Sequence, residues 1–241
     1  MPVSSREYVP VPPEAAPARS AGARALAWFR ASRRVAALEV VAVLAAAQLF
    51  LWHYSRTHRR GWLPILAWML ISMVVRRETP EKAGLAFRQG WDAMRWLVPG
   101  MVLPVVPLLV YGARQGRVEL LAPDALALAQ FGGYLLWCVL QQFALQSYLH
   151  NRLLEAVPNR HFSSAIIALG FSSLHLPNPV LTIATLAGGF VMAEIFARYR
   201  NIWVLALGQA LVSTVIFVAL PDAWHHRLRV GPGYWWWEVP R

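Results

Sequence analysis

Apolar runs close to the thickness of a lipid bilayer recur along this chain, and nothing constrains its fold more. A helix needs about 20 mostly apolar residues to cross the hydrocarbon core. Only helices and closed barrels satisfy their backbone groups there. The runs fall at about 35–54, 61–75, 96–113, 124–156, 162–175, 180–197 and 201–220. Charged residues make up 15% of the chain, below what a soluble domain of this size carries. The expected fold is therefore an all-α, polytopic helical membrane protein with about seven membrane segments. Residues 76–95 (RRETPEKAGLAFRQGWDAMR) are charged and amphipathic and predict an added interfacial helix, opened by Thr79 as N-cap before Pro80.

Three regions follow. Residues 1–34 read as a tail, rich in Pro, Ala and Ser at first. From 24 to 34 it becomes basic and aromatic, as an interfacial segment should. Residues 35–220 form the membrane domain. Residues 221–241 form an aromatic, basic tail whose His225 and His226 read as solvated. The net charge of +11 does not point to nucleic acid, because the arginines sit between apolar runs, where membrane proteins keep their flanks. If the N-terminus is inside, Arg56, Arg59 and Arg60 fall on the wrong side for that rule. The single cysteine, Cys138, reads as a small core residue.

Polar side chains within the apolar runs are costly and mark candidate sites. They are Gln141, Gln142, Gln146, His150, His175, Glu194, Gln209 and Ser213, drawn from four segments. Gln142, Gln146 and His150 lie at i, i+4 and i+8, a stripe on one helix. Gln209 and Ser213 share a face in the same way, and His175 ends a segment before Pro177. Glu194 stands four residues before Arg198, which predicts a helix-end ion pair; the alternative is a replacement carboxylate in the site. Glu39 reads as an interfacial carboxylate beside Arg33 and Arg34.

The segments QQFALQ (141–146), FSSLH (171–175) and QALVS (209–213) carry a resemblance. In order and spacing they are similar to the EExxxR, FxxxH and HxxxN motifs of the CAAX prenyl protease and bacteriocin-processing (CPBP) family of intramembrane endopeptidases. The resemblance covers roughly residues 78–220 and resembles a branch with paired glutamines for the paired glutamates. It implies a bacterial inner-membrane, multi-pass protein acting on membrane-associated or C-terminal signal peptides, with the bilayer as its other partner. It implies catalytic positions at Gln141, Gln142, His175 and Gln209, with Gln146, Phe171, Ser213, His150 and Glu194 around them. Phe171 and His175 match the motifs; Gln141, Gln142, Gln146, Gln209 and Ser213 stand where the family has Glu, Glu, Arg, His and Asn. In the family the glutamate is understood as a general base on water. An amide can orient water but cannot take its proton. No metal or cofactor is expected, since His150 is the one other core histidine and zinc catalysis uses three protein ligands. Three readings stay open: a protease with His175 as base, a pseudoprotease that binds a membrane peptide or lipid, and a structural subunit whose glutamines only join helices.

Overall fold

The computed structural model describes residues 20–117, 125–236 and 238. The expected tail up to residue 19, the polar residues leading to Asp124 and the last residues of the C-terminal tail lie outside the described residues. The chain divides into two units at Ser32. The first holds α1 (Ala21–Ala31), opened by Ser20, whose hydroxyl accepts from the Ala23 N–H at 3.3 Å. It buries no residue and leaves Trp28 exposed.

The second unit begins with α2 (Arg33–Leu49), which continues as a π-helical stretch, Phe50–Tyr54. It goes on through α3 (Leu63–Val75), α4 (Gly90–Arg114) and α5 (Ala125–Gln142). After α5 the same rod becomes π-helical over Phe143–His150 and then α-helical again as α6 (Asn151–Ala156). α7 (Arg160–Ser173), α8 (Pro179–Tyr199), α9 (Ile202–Ala219) and the short α10 (Asp222–His225) complete it. Each of the seven expected segments is helical, and among the described residues there is no strand.

Among the described residues, four helices are long and apolar enough to cross a membrane: Arg33–Tyr54, Gly90–Arg114, Pro179–Tyr199 and Ile202–Ala219. Their outer faces are unburied hydrocarbon; Leu103 is 79% exposed, and Val74 on α3 is 76% exposed. Water would not tolerate so much aliphatic surface, and lipid does. α3 and α7, with 13 and 14 residues, rise only about 20 Å at 1.5 Å per residue. That falls short of the roughly 30 Å core. α5 carries Gln130, Gln141 and Gln142, which dilute its apolar run.

The interfacial helix expected over 76–95 is not one helix. Arg77 and Gln89 have positive φ, 55° and 57°, and break it at both ends. Thr79 does cap a turn, its hydroxyl accepting from the Lys82 N–H at 3.3 Å, and residues from Gly90 join α4. This loop is held from across the bundle. Ser147 donates to the Ala83 carbonyl, and Asn151 Nδ2 donates to the Lys82 carbonyl at 2.9 Å. Asn201 Nδ2 donates to the Arg88 carbonyl at 3.1 Å, and the Trp203 indole to the Leu85 carbonyl at 2.9 Å. Gly84, at φ 71°, sits against Phe196 and the Arg200 backbone so closely that a Cβ would meet Phe196 at 2.6 Å.

Glu39 is not the interfacial carboxylate its neighbours suggested. It is buried and accepts from Arg76 Nη2 at 2.7 Å and from the Ser72 hydroxyl, and Arg152 Nε lies 3.0 Å from it. Arg152 has no solvent exposure and pairs also with Glu78. Glu155 accepts from Arg76 at 3.2 Å and from Lys82 at 2.6 Å. A buried charge needs such partners, so this network ties α2, α3, α6 and the loop into one end of the bundle.

The C-terminal tail caps the other end. Asn178 Nδ2 donates to the carbonyls of His225 and Arg229 at 2.6 and 3.0 Å, and the Gly231 N–H donates to the Leu176 carbonyl at 2.8 Å. His225 is fully buried rather than solvated, with Nε2 3.2 Å from the Leu220 carbonyl and, among the described residues, no partner on Nδ1. Burial, above all, pushes its imidazole below the ordinary histidine range.

Arg152→Met should lower unfolding stability by roughly 3–5 kcal/mol, because it strands buried carboxylates. Arg95→Gln, which removes an exposed pair with Asp92, should change it by under about 1 kcal/mol. Denaturant unfolding in detergent compares them. For His225, a depressed folded pKa means the cap is fully stable above the unfolded value. Stability is lost as pH falls below about 6.5 toward the folded value. Thermal unfolding from pH 7.5 to 5 should show this fall, and His225→Gln should flatten it.

Candidate functional site

The second unit holds a cavity of about 2460 Å³. Its shape follows from packing. α8 and α9 meet at the Arg200–Asn201 turn and then diverge, α8 packing on α7 and α4, α9 on α4 and α5. Arg200 takes a left-handed φ of 44° there, and Asn201 caps α9 by accepting from the Val204 N–H at 3.1 Å. Gly189 lets α7 approach closely, with Phe171 and Ala168 within 3.5 Å of where a Cβ would stand. Gly188 has nothing within 4 Å and opens onto the cavity.

Gln141, Phe171, His175, Gln209 and Ser213 line this cavity. Three amides form a chain across α5 and α9. Gln142 Nε2 donates to Gln209 Oε1 at 2.7 Å, and Gln209 Nε2 donates to Gln141 Oε1. Gln142 is fully buried, its Nε2 3.4 Å from the Met192 sulfur and its Oε1 without a partner among the described residues. His175 is set apart from the trio. Its Nδ1 lies 2.8 Å from the Phe171 carbonyl, and its ring stands edge-on to the Phe171 ring at 4.7 Å. A carbonyl only accepts, so Nδ1 carries the proton and Nε2 keeps the lone pair. Ser213 is in side-chain hydrogen-bond reach of Tyr134, another lining residue.

The remaining expected residues lie elsewhere. Gln146 and His150 are fully buried and bonded to each other, Oε1 to Nδ1 at 3.0 Å, with the His150 ring 6.0 Å from Phe196. The stripe is split because the π-helical stretch starts immediately after Gln142 and rephases the faces. Glu194 does not line the cavity, and its partner is not Arg198. Its Oε2 lies 3.2 Å from Arg160 Nε and 3.1 Å from His161 Nδ1, at the start of α7. Arg198 instead lies over the Tyr199 ring at 5.6 Å. Cys138 is buried against Ala206 and Ala210. Among the described residues, no three His, Cys, Asp or Glu side chains gather as metal ligands would.

Sequence reasoning missed Tyr134 and Met192, whose ordinary apolar setting gave no signal, and five arginines on the cavity wall. Arg56, Arg59, Arg117, Arg227 and Arg229 come from three loops far apart in sequence.

Residues 123–215 match the family of type II CAAX prenyl endopeptidases, Rce1-like. The match spans all three motif segments and bears out the resemblance read from them. The chain is thus a CAAX-protease-like integral membrane protein. No curated protein and no solved structure matches it.

Gln142→Glu should place a carboxylate where no cation compensates it, since the amide of Gln146 occupies the position where the motif has arginine. The variant should lose about 2–4 kcal/mol of stability, or bind a proton there instead. Gln142→Leu, which adds no charge, should lose less and show no added dependence on pH. Thermal unfolding of the two variants between pH 6 and 8 compares them.

Proposed function

We propose that this chain is a multi-pass inner-membrane protein of the CAAX-protease type whose cavity binds an amphiphilic membrane ligand, a peptide or a lipid, without cutting it by the carboxylate route. The hydrogen-bonded trio of Gln141, Gln142 and Gln209 carries this reading. Hydrolysis by that route requires a group that accepts a proton near neutral pH. The three amides at the motif positions cannot accept one, and the lining carboxylate, Asp222, is paired with Arg227 at 3.4 Å. Amides offer donors and acceptors together, which suits holding a polar ligand backbone inside an apolar wall. Gln141 enters the trio through its Oε1 alone, and its residue lines the cavity.

One observation favours a second reading, an intramembrane endopeptidase with His175 as base. Its Nδ1–H is fixed on the Phe171 carbonyl, which leaves Nε2 unprotonated on a residue that lines the cavity. Gln141 and Gln209 would then hold the attacked carbonyl oxygen by N–H donation.

A photo-crosslinking residue at Gln209 should capture a ligand in native membranes that the same residue at lipid-facing Val74 does not capture. Identical products at both positions would reject a binding site. Purified protein should leave membrane-peptide substrates intact. Cleavage that His175→Ala abolishes would replace the binding reading with the endopeptidase one.

A further inference from the structure

The charge on the cavity wall is one-sided. Five lining residues are arginines, against a single lining carboxylate, Asp222. All five gather at the end where the α7–α8 turn and the tail lie. Arg117 Nη1 donates to the Leu220 carbonyl at 3.3 Å, and Arg227 pairs with Asp222. Arg229 donates to the Trp236 carbonyl, and Arg56 lies 5.8 Å from the Trp236 ring. Behind them the wall is hydrocarbon: Leu97, Met101 and Leu108 on α4, Phe131 on α5, Ile216 and Phe217 on α9. The volume exceeds the roughly 300–1,000 Å³ of ordinary small-molecule pockets.

From this arrangement we infer that the cavity holds a lipid whose phosphate-bearing headgroup is net anionic, its chains between α4, α5, α8 and α9 and its phosphate among Arg56, Arg59, Arg117, Arg227 and Arg229. A guanidinium presents a fork of N–H donors that matches phosphate oxygens two at a time. One arginine would satisfy a single carboxylate, such as a peptide C-terminus. An excess of four positive charges matches a phosphate or diphosphate. A zwitterionic headgroup would place its own cation among the arginines. The inference rests on the reading of the cavity as a ligand site and names the ligand class.

The test is native mass spectrometry of the full chain in detergent, titrated with phosphatidylglycerol or with phosphatidylcholine of the same chains. Phosphatidylglycerol should be retained at least about tenfold more strongly, a difference of about 1.4 kcal/mol. Arg59→Gln with Arg227→Gln, both at exposed positions, should remove most of that preference. Arg88→Gln with Arg198→Gln, exposed and at the opposite end, removes equal charge and should leave it unchanged. Gly188→Trp, which fills open space in the cavity, should weaken both lipids. A polyprenyl phosphate added in competition separates a lipid-phosphate source from a glycerophospholipid one. Equal retention of the two phospholipids would overturn the inference, as would an equal loss in the opposite-end pair. Displacement of the bound lipid by a peptide with a free C-terminus, but not by its amide, would reassign the arginines to a carboxylate. A surviving Gln209 crosslink would in each case leave the cavity a ligand site, so the two readings fail separately.

Discussion

Arg152 has no access to solvent, and a guanidinium so placed must be enclosed by carboxylates or not exist there. Glu39 and Glu78 meet it directly, and Arg76, Lys82 and Glu155 extend the network. Three acids and three bases from α2, the loop after α3, and α6 are thereby committed to one geometry. Arg152, Glu39 and Glu78 are all deeply buried, so removing Arg152 leaves two buried carboxylates short of a partner, and the network specifies as well as stabilises. The rod of α5, its π-helical continuation and α6 is fixed at its far end by this knot. The amides at the end of α5 inherit their position from it.

That anchoring explains how an uncharged site persists in a protein with a net charge of +11. Charge is concentrated at the two ends of the bundle, in the knot at one and the arginines at the other. Between them the polar contacts are neutral: amide to amide, imidazole to carbonyl, hydroxyl to hydroxyl. Neutral hydrogen bonds between helices each contribute on the order of 1 kcal/mol, enough to set register without a desolvated ion. The same neutrality removes the proton acceptor that the motif positions would otherwise hold.

Much of this was legible in the residues. The apolar runs gave the helices, the motif spacing located Gln141, Gln142, His175 and Gln209, and all four fall in or beside one cavity. What was not legible has physical causes. A π-helical stretch carries no hydrophobic signature of its own, so Gln146 and His150 read as cavity residues although their faces turn inward. Glu39 and Arg152 are 113 positions apart, and local spacing offered Arg33 and Arg34 as nearer partners. Glu194 likewise had Arg198 one turn away, while its true partners, Arg160 and His161, come from a neighbouring helix. The cavity arginines lie in three loops whose convergence depends on the whole fold.

The turn at Arg200 and Asn201 joins α8 and α9 like the pivot of a pair of shears. The loop of residues 79–89 is bolted to it from both sides. At 1.5 Å per residue, Gln209 lies about 12 Å along α9 from that pivot and Ile216 about 22 Å. A small angular spread of the blades therefore displaces the arginine-lined rim nearly twice as far as the amides. The amide chain lies near the fulcrum and the rim far from it, so a given rotation there strains the amides less than it shifts the rim.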